Sequence, residues 1–154
     1  MQDSKGGKME LYYSENNKIN RDKLVLHSDQ SFGYQPGCCS WDFQIFLNSA
    51  ASFILNFDTF TGCCTSCEGY LHLAERTKLI SIGDYVDAKL MIKLTQDEKD
   101  IYGCHYFLNG KMLYDEINNR VCIGEITQGY LIRFGMGQYA SFDDGRLTGI
   151  IIDF

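Results

Sequence analysis

The sequence predicts an all-β protein, an antiparallel sandwich or barrel of ten to twelve short strands with little helix. Apolar residues recur at every second position, glycine-containing turns separate the apolar runs, and amphipathic helical periodicity is almost absent. Closing one sheet, or packing two sheets together, hides strand edges that would otherwise pair with other chains.

The alternation is clearest in the first half of the chain, where three segments predict an antiparallel meander. Alternate positions of residues 41–47 are apolar, and residues 53–57 repeat the pattern. A turn over 58–62 and a third segment over 66–73 complete the meander. Period-2 spacing places the apolar side chains of each strand on one face, with Trp41, Phe43, Ile45 and Leu47 together in the first strand.

Further strands are predicted in the second half. Residues 88–94 alternate strictly, with both lysines on the outer face. Asn109-Gly110 between apolar runs predicts a two-residue type I′ hairpin, because both residues tolerate positive φ. Four more strands are predicted between residues 121 and 154.

Length and charge limit the possible functions. A chain of 154 residues predicts one domain, here 9–154, preceded by a disordered leader over 1–8 with Met9 as the natural start. The net charge of −6 argues against nucleic acid and favours a basic protein partner. The first ten residues lack the apolar core of a signal peptide, and no run approaches the roughly 20 residues of a membrane span. We therefore expect a cytoplasmic protein.

The cysteines are the first candidate for chemistry. Cys64 and Cys67 have the spacing of a zinc knuckle or a redox pair, and Cys38 or Cys39 would complete a zinc site. No second C-x-x-C follows, and the βαβ context of a thioredoxin-like motif is missing. We expect free, mostly buried thiols in a reducing compartment and no cofactor, while a metal at Cys64 and Cys67 stays open.

The histidines are the second candidate. His27, His72 and His105 could serve a hydrolase or nuclease together with Glu68 or Asp58. Each histidine falls within a predicted strand, far from the others in sequence. We therefore expect a protein that is not an enzyme.

Two glycine motifs predict turns and not ligand sites. The G-x-G of residues 135–137 precedes no helix that could present its N-terminus to a phosphate. The Asp-Asp-Gly of residues 143–145 lacks the remaining ligands of a calcium loop and predicts a hairpin turn.

Acidic side chains cluster in three predicted connections, beside tyrosines. The clusters are Asp84, Tyr85 and Asp87; Asp97, Glu98, Asp100 and Tyr102; and Asp115 and Glu116. A negative patch steers a basic partner, and tyrosines are frequent anchors of interfaces. A solvated loop surface is the alternative explanation of each cluster. Thr95, just before the second cluster, is the predicted N-cap of a helical turn.

Two stretches carry a family resemblance. One is residues 53–62 (FILNFDTFTG) with 68–71 (EGYL), and the other is residues 137–154 (GQYASFDDGRLTGIIIDF). Both resemble β-rich immunity proteins of bacterial polymorphic-toxin and contact-dependent inhibition systems, over roughly half of the chain. In those families a small cytoplasmic protein binds one toxin domain, often a nuclease, and blocks its active site. The resemblance implies a monomeric immunity protein that binds a cognate basic toxin domain, here through the acidic clusters.

Two other functions stay open. Ten tyrosines and ten phenylalanines suit a β-barrel or sandwich that binds a carbohydrate or small apolar ligand. A small hydrolase or nuclease using a cysteine or histidine is the third possibility.

Overall fold

The computed structural model describes residues 9–15, 23–33, 41–77, 80–98, 101–126 and 129–154, so the predicted leader over 1–8 lies outside the described residues. These residues form thirteen strands and almost no helix. The strands are β1 (Glu10–Glu15), β2 (Ser31–Phe32), β3 (Phe43–Phe46), β4 (Phe53–Asp58), β5 (Cys63–Tyr70), β6 (Glu75–Thr77), β7 (Val86–Lys93), β8 (Gly103–His105), β9 (Met112–Asp115), β10 (Arg120–Gly124), β11 (Tyr130–Gly135), β12 (Gln138–Asp143) and β13 (Arg146–Asp153). None of the helical segments in the described ranges has both the length and the hydropathy of a membrane span.

The strands form one curled sheet in the order β6-β9-β10-β13-β12-β11-β7-β5-β4-β3-β8, with β1 paired to β7 and β2 to β5. Strand β7 joins two halves, because its first residues pair with β11 and its later ones with β1 and β5. We call β1–β5, β7 and β8 the meander half, and β6 with β9–β13 the C-terminal half.

The all-β prediction is confirmed, but two of its details are wrong. The sheet is mixed, because β3–β8, β6–β9 and β7–β11 are parallel pairs, and the strands number thirteen. Period-2 alternation reports which face of a strand is buried and says nothing about the direction of its neighbour. Strands of two or three residues, such as β2 and β6, are too short to show alternation at all.

The predicted hairpin at Asn109-Gly110 is also wrong. Strand β8 pairs with β3, whereas β9 pairs with β6 and β10. The Leu108 amide donates to the Leu47 carbonyl at 3.1 Å, so the segment before Asn109 follows β3. Gly110 has a φ of 99°, but Asn109 does not share the positive φ that a type I′ turn requires. Long-range pairing here overrides the local turn preference.

The hairpin turn predicted over residues 143–145 is confirmed, and it joins β12 to β13. Asp144 has a φ of 52° and Gly145 a φ of 75°, which is the pair of positive angles of a type I′ turn. Asp143 and Arg146 are the opposed residues that flank it.

The meander is confirmed, with β3, β4 and β5 adjacent and antiparallel. Its inward residues have no solvent exposure: Phe43, Ile45, Leu47, Phe53, Leu55 and Phe57. Trp41, which the alternation places on the same face as Phe43, is 40 % exposed because it lies two residues before β3 begins.

The core lies between the two halves of the sheet. Phe32 packs edge-on against Phe53 of its own half and against Phe154 at the C-terminus, both at 5.3 Å between ring centroids. Tyr13 stacks on Tyr130 of the opposite half at 4.9 Å. A smaller apolar cluster of Ile80, Cys122, Tyr139 and Ile151 covers the outer face of the C-terminal half.

Candidate partner-binding site

The first acidic cluster is largely engaged within the protein. Asp87 on β7 accepts two hydrogen bonds from the Arg133 guanidinium of β11, at 2.8 and 3.1 Å. These bonds hold the pKa of Asp87 below its usual range. The same guanidinium lies 5.0 Å from the ring centroid of Tyr85, which is 41 % exposed. Asp84 is exposed and is the only acid of this cluster that is free to meet a partner.

Asp87 belongs to a charge-balanced row on the outer face of the C-terminal half. Arg120 pairs with Asp153 at 3.3 Å, and Tyr139 lies between this ion pair and the Arg133–Asp87 pair. We call Tyr85, Asp87, Arg120, Arg133, Tyr139 and Asp153 the outer strip. Its two arginines are matched by two aspartates, so the strip has no net charge to attract a basic partner.

Asp115 is removed from the candidate surface because its side chain is buried. Its carboxylate accepts hydrogen bonds from the Ile80 amide at 2.9 Å, the Asn118 amide at 3.1 Å and the Asn118 side chain at 2.7 Å. The bond from the Asn118 side chain, above all, lowers the pKa of Asp115. Glu116 is exposed and lies 3.9 Å from Arg76, in an ion pair too open to contribute much.

The second cluster divides between structural and exposed groups. Glu98 and Thr95 cap each other: the Glu98 amide donates to the Thr95 hydroxyl at 3.3 Å, and the Thr95 amide donates to the Glu98 carboxylate at 2.8 Å. The second oxygen of Glu98 accepts the Met9 amide at 3.1 Å. Asp97 is exposed and Tyr102 is 86 % exposed, while Asp100 lies outside the described residues. The predicted N-cap at Thr95 is confirmed.

A groove with unbalanced charge lies beside this cluster. Two adjoining cavities of about 490 and 390 Å³ share Tyr106 and Arg146. We call their combined surface the acidic groove, and its charged lining consists of Glu10, Glu98, Glu125, Asp143 and Arg146. Four carboxylates thus face one guanidinium. Within the described part of the chain, no ion pair involves any of the five.

Sequence reasoning missed three of these acids. Glu10, Glu125 and Asp143 come from separate parts of the chain and all line the groove. The sequence predicts for Asp143 only a place in a hairpin turn, and it predicts no role for the other two. The folding of β1 and the β12–β13 hairpin toward β8 brings them together. No local spacing could have indicated this.

An aromatic rim borders the groove along β8. Phe107 is 60 % exposed and lies 4.9 Å from the ring of His105, which in turn lies 5.4 Å from Phe46. The Tyr106 hydroxyl donates to the Leu147 carbonyl at 3.1 Å and so ties β8 to the opposite half. The rim is thus anchored on one side and exposed on the other.

The three histidines lie in separate places, and two of them share a cavity with carboxylates: His105 lines the acidic groove together with Glu10 and Glu98. His105 lies between two phenylalanines, and His72 lies edge-on to Tyr70 at 5.8 Å. His27 lines a different cavity, whose volume is about 590 Å³. Of the proposed carboxylate partners, Asp58 accepts the Phe60 amide at 2.9 Å. Glu68, the other proposed partner, lines the same cavity as His27.

The described cysteines are free thiols. Burial raises the pKa of Cys104 and of Cys122 to about 11, and it raises the pKa of Cys67 well above its usual value. Thiols of this kind stay protonated at neutral pH and are poor nucleophiles and metal ligands. Among the described residues no three His, Cys, Asp or Glu side chains are grouped to hold a metal, and Cys38 and Cys39 lie outside that part of the chain.

A polar network borders the third cavity, on the outer face of the meander half. Glu68 accepts hydrogen bonds from Gln44 at 3.2 Å and from Asn56 at 3.0 Å, and Asn56 also donates to Ser66 at 3.0 Å. The cavity of about 590 Å³ adds His27, Asp29, Ser31 and Tyr70 to this lining.

Comparison of the chain with protein-family models, with curated proteins and with solved structures gives no match.

Proposed function

We propose that the protein is a cytoplasmic immunity or inhibitor protein that binds a cognate basic toxin domain, such as a nuclease, and blocks its active site. The observation that supports this most is the charge of the acidic groove, where four carboxylates face one guanidinium. Ordinary surface acids are interspersed with bases, as in the outer strip. A groove with unbalanced charge is stabilised when a cationic partner enters it.

The groove also suits a protein partner in its shape and its rim. Exposed Phe107 and Tyr102 supply aromatic anchors of the kind that carry most of the binding energy in interfaces. Unpaired carboxylates would accelerate encounter with a basic surface, and this effect would weaken as salt screens the charges. We expect nucleic acid not to bind the groove, because the four carboxylates would repel its phosphates.

Inhibition would follow from occupancy. A nuclease binds the phosphates of its substrate with Lys and Arg side chains, and these groups complement carboxylates equally well. The proposed inhibitor therefore needs no catalysis and no cofactor. It would act as a monomer that covers the basic substrate-binding surface of the toxin.

Co-purification tests this proposal. The tagged protein is co-expressed with the product of the adjacent upstream gene, and the bound material is identified by mass spectrometry. We expect a stoichiometric basic protein whose expression alone arrests growth. Failure to capture such a protein, or capture without protection of growth, would contradict the proposal.

Two charge-matched variants locate the surface. The groove variant carries Glu10→Lys, Glu125→Lys and Asp143→Lys. The outer-face variant carries Glu75→Lys, Asp84→Lys and Glu116→Lys and changes the net charge by the same amount. We expect only the groove variant to lose the partner, because the other acids lie away from the groove.

A ligand-binding protein is the second candidate, and the third cavity favours it. Its carboxylates, hydroxyls and the half-exposed Tyr70 are the groups that bind sugars through hydrogen bonds and ring stacking. A screen of oligosaccharides by thermal shift tests it, with Tyr70→Ala as the variant that should lose any response. If no oligosaccharide raises the Tm of the wild-type protein, this candidate fails.

A further inference from the structure

We propose that an extended segment of the basic partner enters the acidic groove as an added β-strand between β1 and β8. The inference rests on the proposed function, and it names how the partner is held. Two strand edges line the same groove, and within the described residues neither has a strand on its outer side. An added strand would satisfy both edges and join the two ends of the meander half.

The backbone of β8 directs groups toward the groove that pair with no strand among the described residues. The Tyr102 carbonyl accepts the Gln44 amide at 2.8 Å, and the Tyr106 amide donates to the Phe46 carbonyl at 2.9 Å. Even-numbered residues of this segment therefore point their backbone groups toward β3. Because these directions alternate along a strand, the N–H and C=O groups of Gly103 and His105 point away from β3.

The backbone of β1 does the same from the opposite side. The Ile92 amide donates to the Gly62 carbonyl at 2.8 Å, so the backbone groups of even-numbered β7 residues point toward β5. The backbone groups of odd-numbered β7 residues therefore point toward β1, where Met91 opposes Tyr12. The backbone groups of Leu11 must then point away from β7. Leu11 and His105 both line the larger cavity of the groove.

Glu98 marks the free edge of β1. The Met9 amide lies on that edge, and the Glu98 carboxylate accepts it at 3.1 Å, in the place of a strand carbonyl. The Glu98 carboxylate therefore already satisfies the Met9 amide and closes one end of the gap between β1 and β8. Leu11, two residues further on, has no such substitute in the described part of the chain, which leaves room for a carbonyl from another chain.

The pairings also give the direction of the added strand. Following the sheet from β8 through β3, β4, β5 and β7 to β1 shows that β1 and β8 run in the same direction. One strand between them would be antiparallel to both, which is the slightly more stable arrangement. Its side chains would alternate, and Lys or Arg on the open face would meet Glu10 and Asp143.

A pair of peptides tests the added strand directly. The probe is an acetylated, amidated peptide of alternating Val and Lys, about six residues long, which is the usual strand length. Its twin is N-methylated at alternate residues, so it keeps the charge but loses the backbone donors of one edge. We expect the probe to bind about tenfold more tightly than the twin and to slow amide exchange at Leu11, Gly103 and His105. Equal binding of both peptides, or no binding of the probe, would overturn the proposal.

Two variants at one position separate this inference from the proposed function. His105→Pro removes the edge donor, and proline is tolerated at an edge strand, whereas His105→Ala removes only the ring. With the co-purified partner, we expect His105→Pro to weaken binding about tenfold relative to His105→Ala. If the groove variant abolishes binding but the two His105 variants bind alike, the groove function stands and the added strand is wrong. A homodimer in which the same amides are protected would identify a second copy as the occupant, and it too would overturn the proposal.

Discussion

The outer strip and the acidic groove both carry acidic side chains, but among the described residues only the acids of the strip have basic partners. Asp87 and Asp153 each pair with an arginine on the neighbouring strand. In the groove, by contrast, Glu10, Glu125 and Asp143 have no ion pair within the described residues. A cluster of acids in the sequence therefore has no single structural role. A paired acid supports the fold, whereas an unpaired acid in a concave surface is available to a partner.

The largest expected effect concerns Asp115, a sequence-predicted contact residue that the fold uses internally. Asp115→Ala leaves the Ile80 amide and the Asn118 donors without their acceptor in a buried place. We expect a Tm lower by several degrees, measured by thermal unfolding. Its neighbour Glu116 is the control, and Glu116→Ala should leave the Tm unchanged. Equal effects of the two substitutions would remove the distinction between buried and exposed acids.

The next effect is the coupling of Asp87 to Arg133. A double-mutant cycle of Asp87→Ala and Arg133→Ala should give a coupling free energy of about 1 kcal/mol at neutral pH, because the bond is bidentate but only half-buried. Urea unfolding of the four proteins measures it. A coupling free energy of zero would mean that the ion pairs of the outer strip contribute no more to stability than the unpaired acids of the groove.

The same pair should make stability depend on pH in a defined direction. Arg133 holds the pKa of folded Asp87 below the unfolded value of 3.8, so the pair stabilises the native state above that pH. Its contribution is lost as the pH falls below 3.8 and through the folded pKa. Repeating the cycle in acid should therefore show the coupling disappear. A coupling that persists at a pH well below 3.8 would show that the charge of Asp87 is not its source.

The smallest expected effect on stability belongs to the groove. Replacing Glu10, Glu125 and Asp143 by lysine removes no ion pair with any described residue, so the free energy of unfolding should change by less than about 0.5 kcal/mol per site. Urea unfolding of the groove variant checks this. A loss of several kcal/mol would mean that these acids support the fold, and the contrast with the strip would fail.

The sequence predicts the meander well because alternation directly reports burial. Phe43, Ile45 and Leu47 follow the pattern and are fully buried, and the type I′ turn at Asp144-Gly145 has the angles its residues favour. The hairpin at Asn109-Gly110 fails because β8 finds a better partner in β3, far away in sequence. Direction and partner choice are decided by long-range contacts that no local pattern contains.

The candidate site was less predictable than the fold. Of the residues marked in sequence, Glu98 lines the groove, and Asp97 and Tyr102 are exposed in the segment before β8. Asp87 and Asp115 are engaged internally, because an arginine on β11 and an amide at Ile80 come from other parts of the chain. Whether an acid is paired depends on which strands become neighbours, and that is a property of the topology.

Whether the acidic groove binds the partner is tested best by the association rate with the co-purified protein, measured by stopped flow at low and high salt. We predict that the groove variant associates about tenfold more slowly than the wild-type protein at low salt, and that the difference shrinks at high salt. The outer-face variant, with the same net charge, should associate nearly as fast as the wild-type protein. Equal slowing of both variants would show that net charge alone governs binding and would contradict a specific role for the acidic groove.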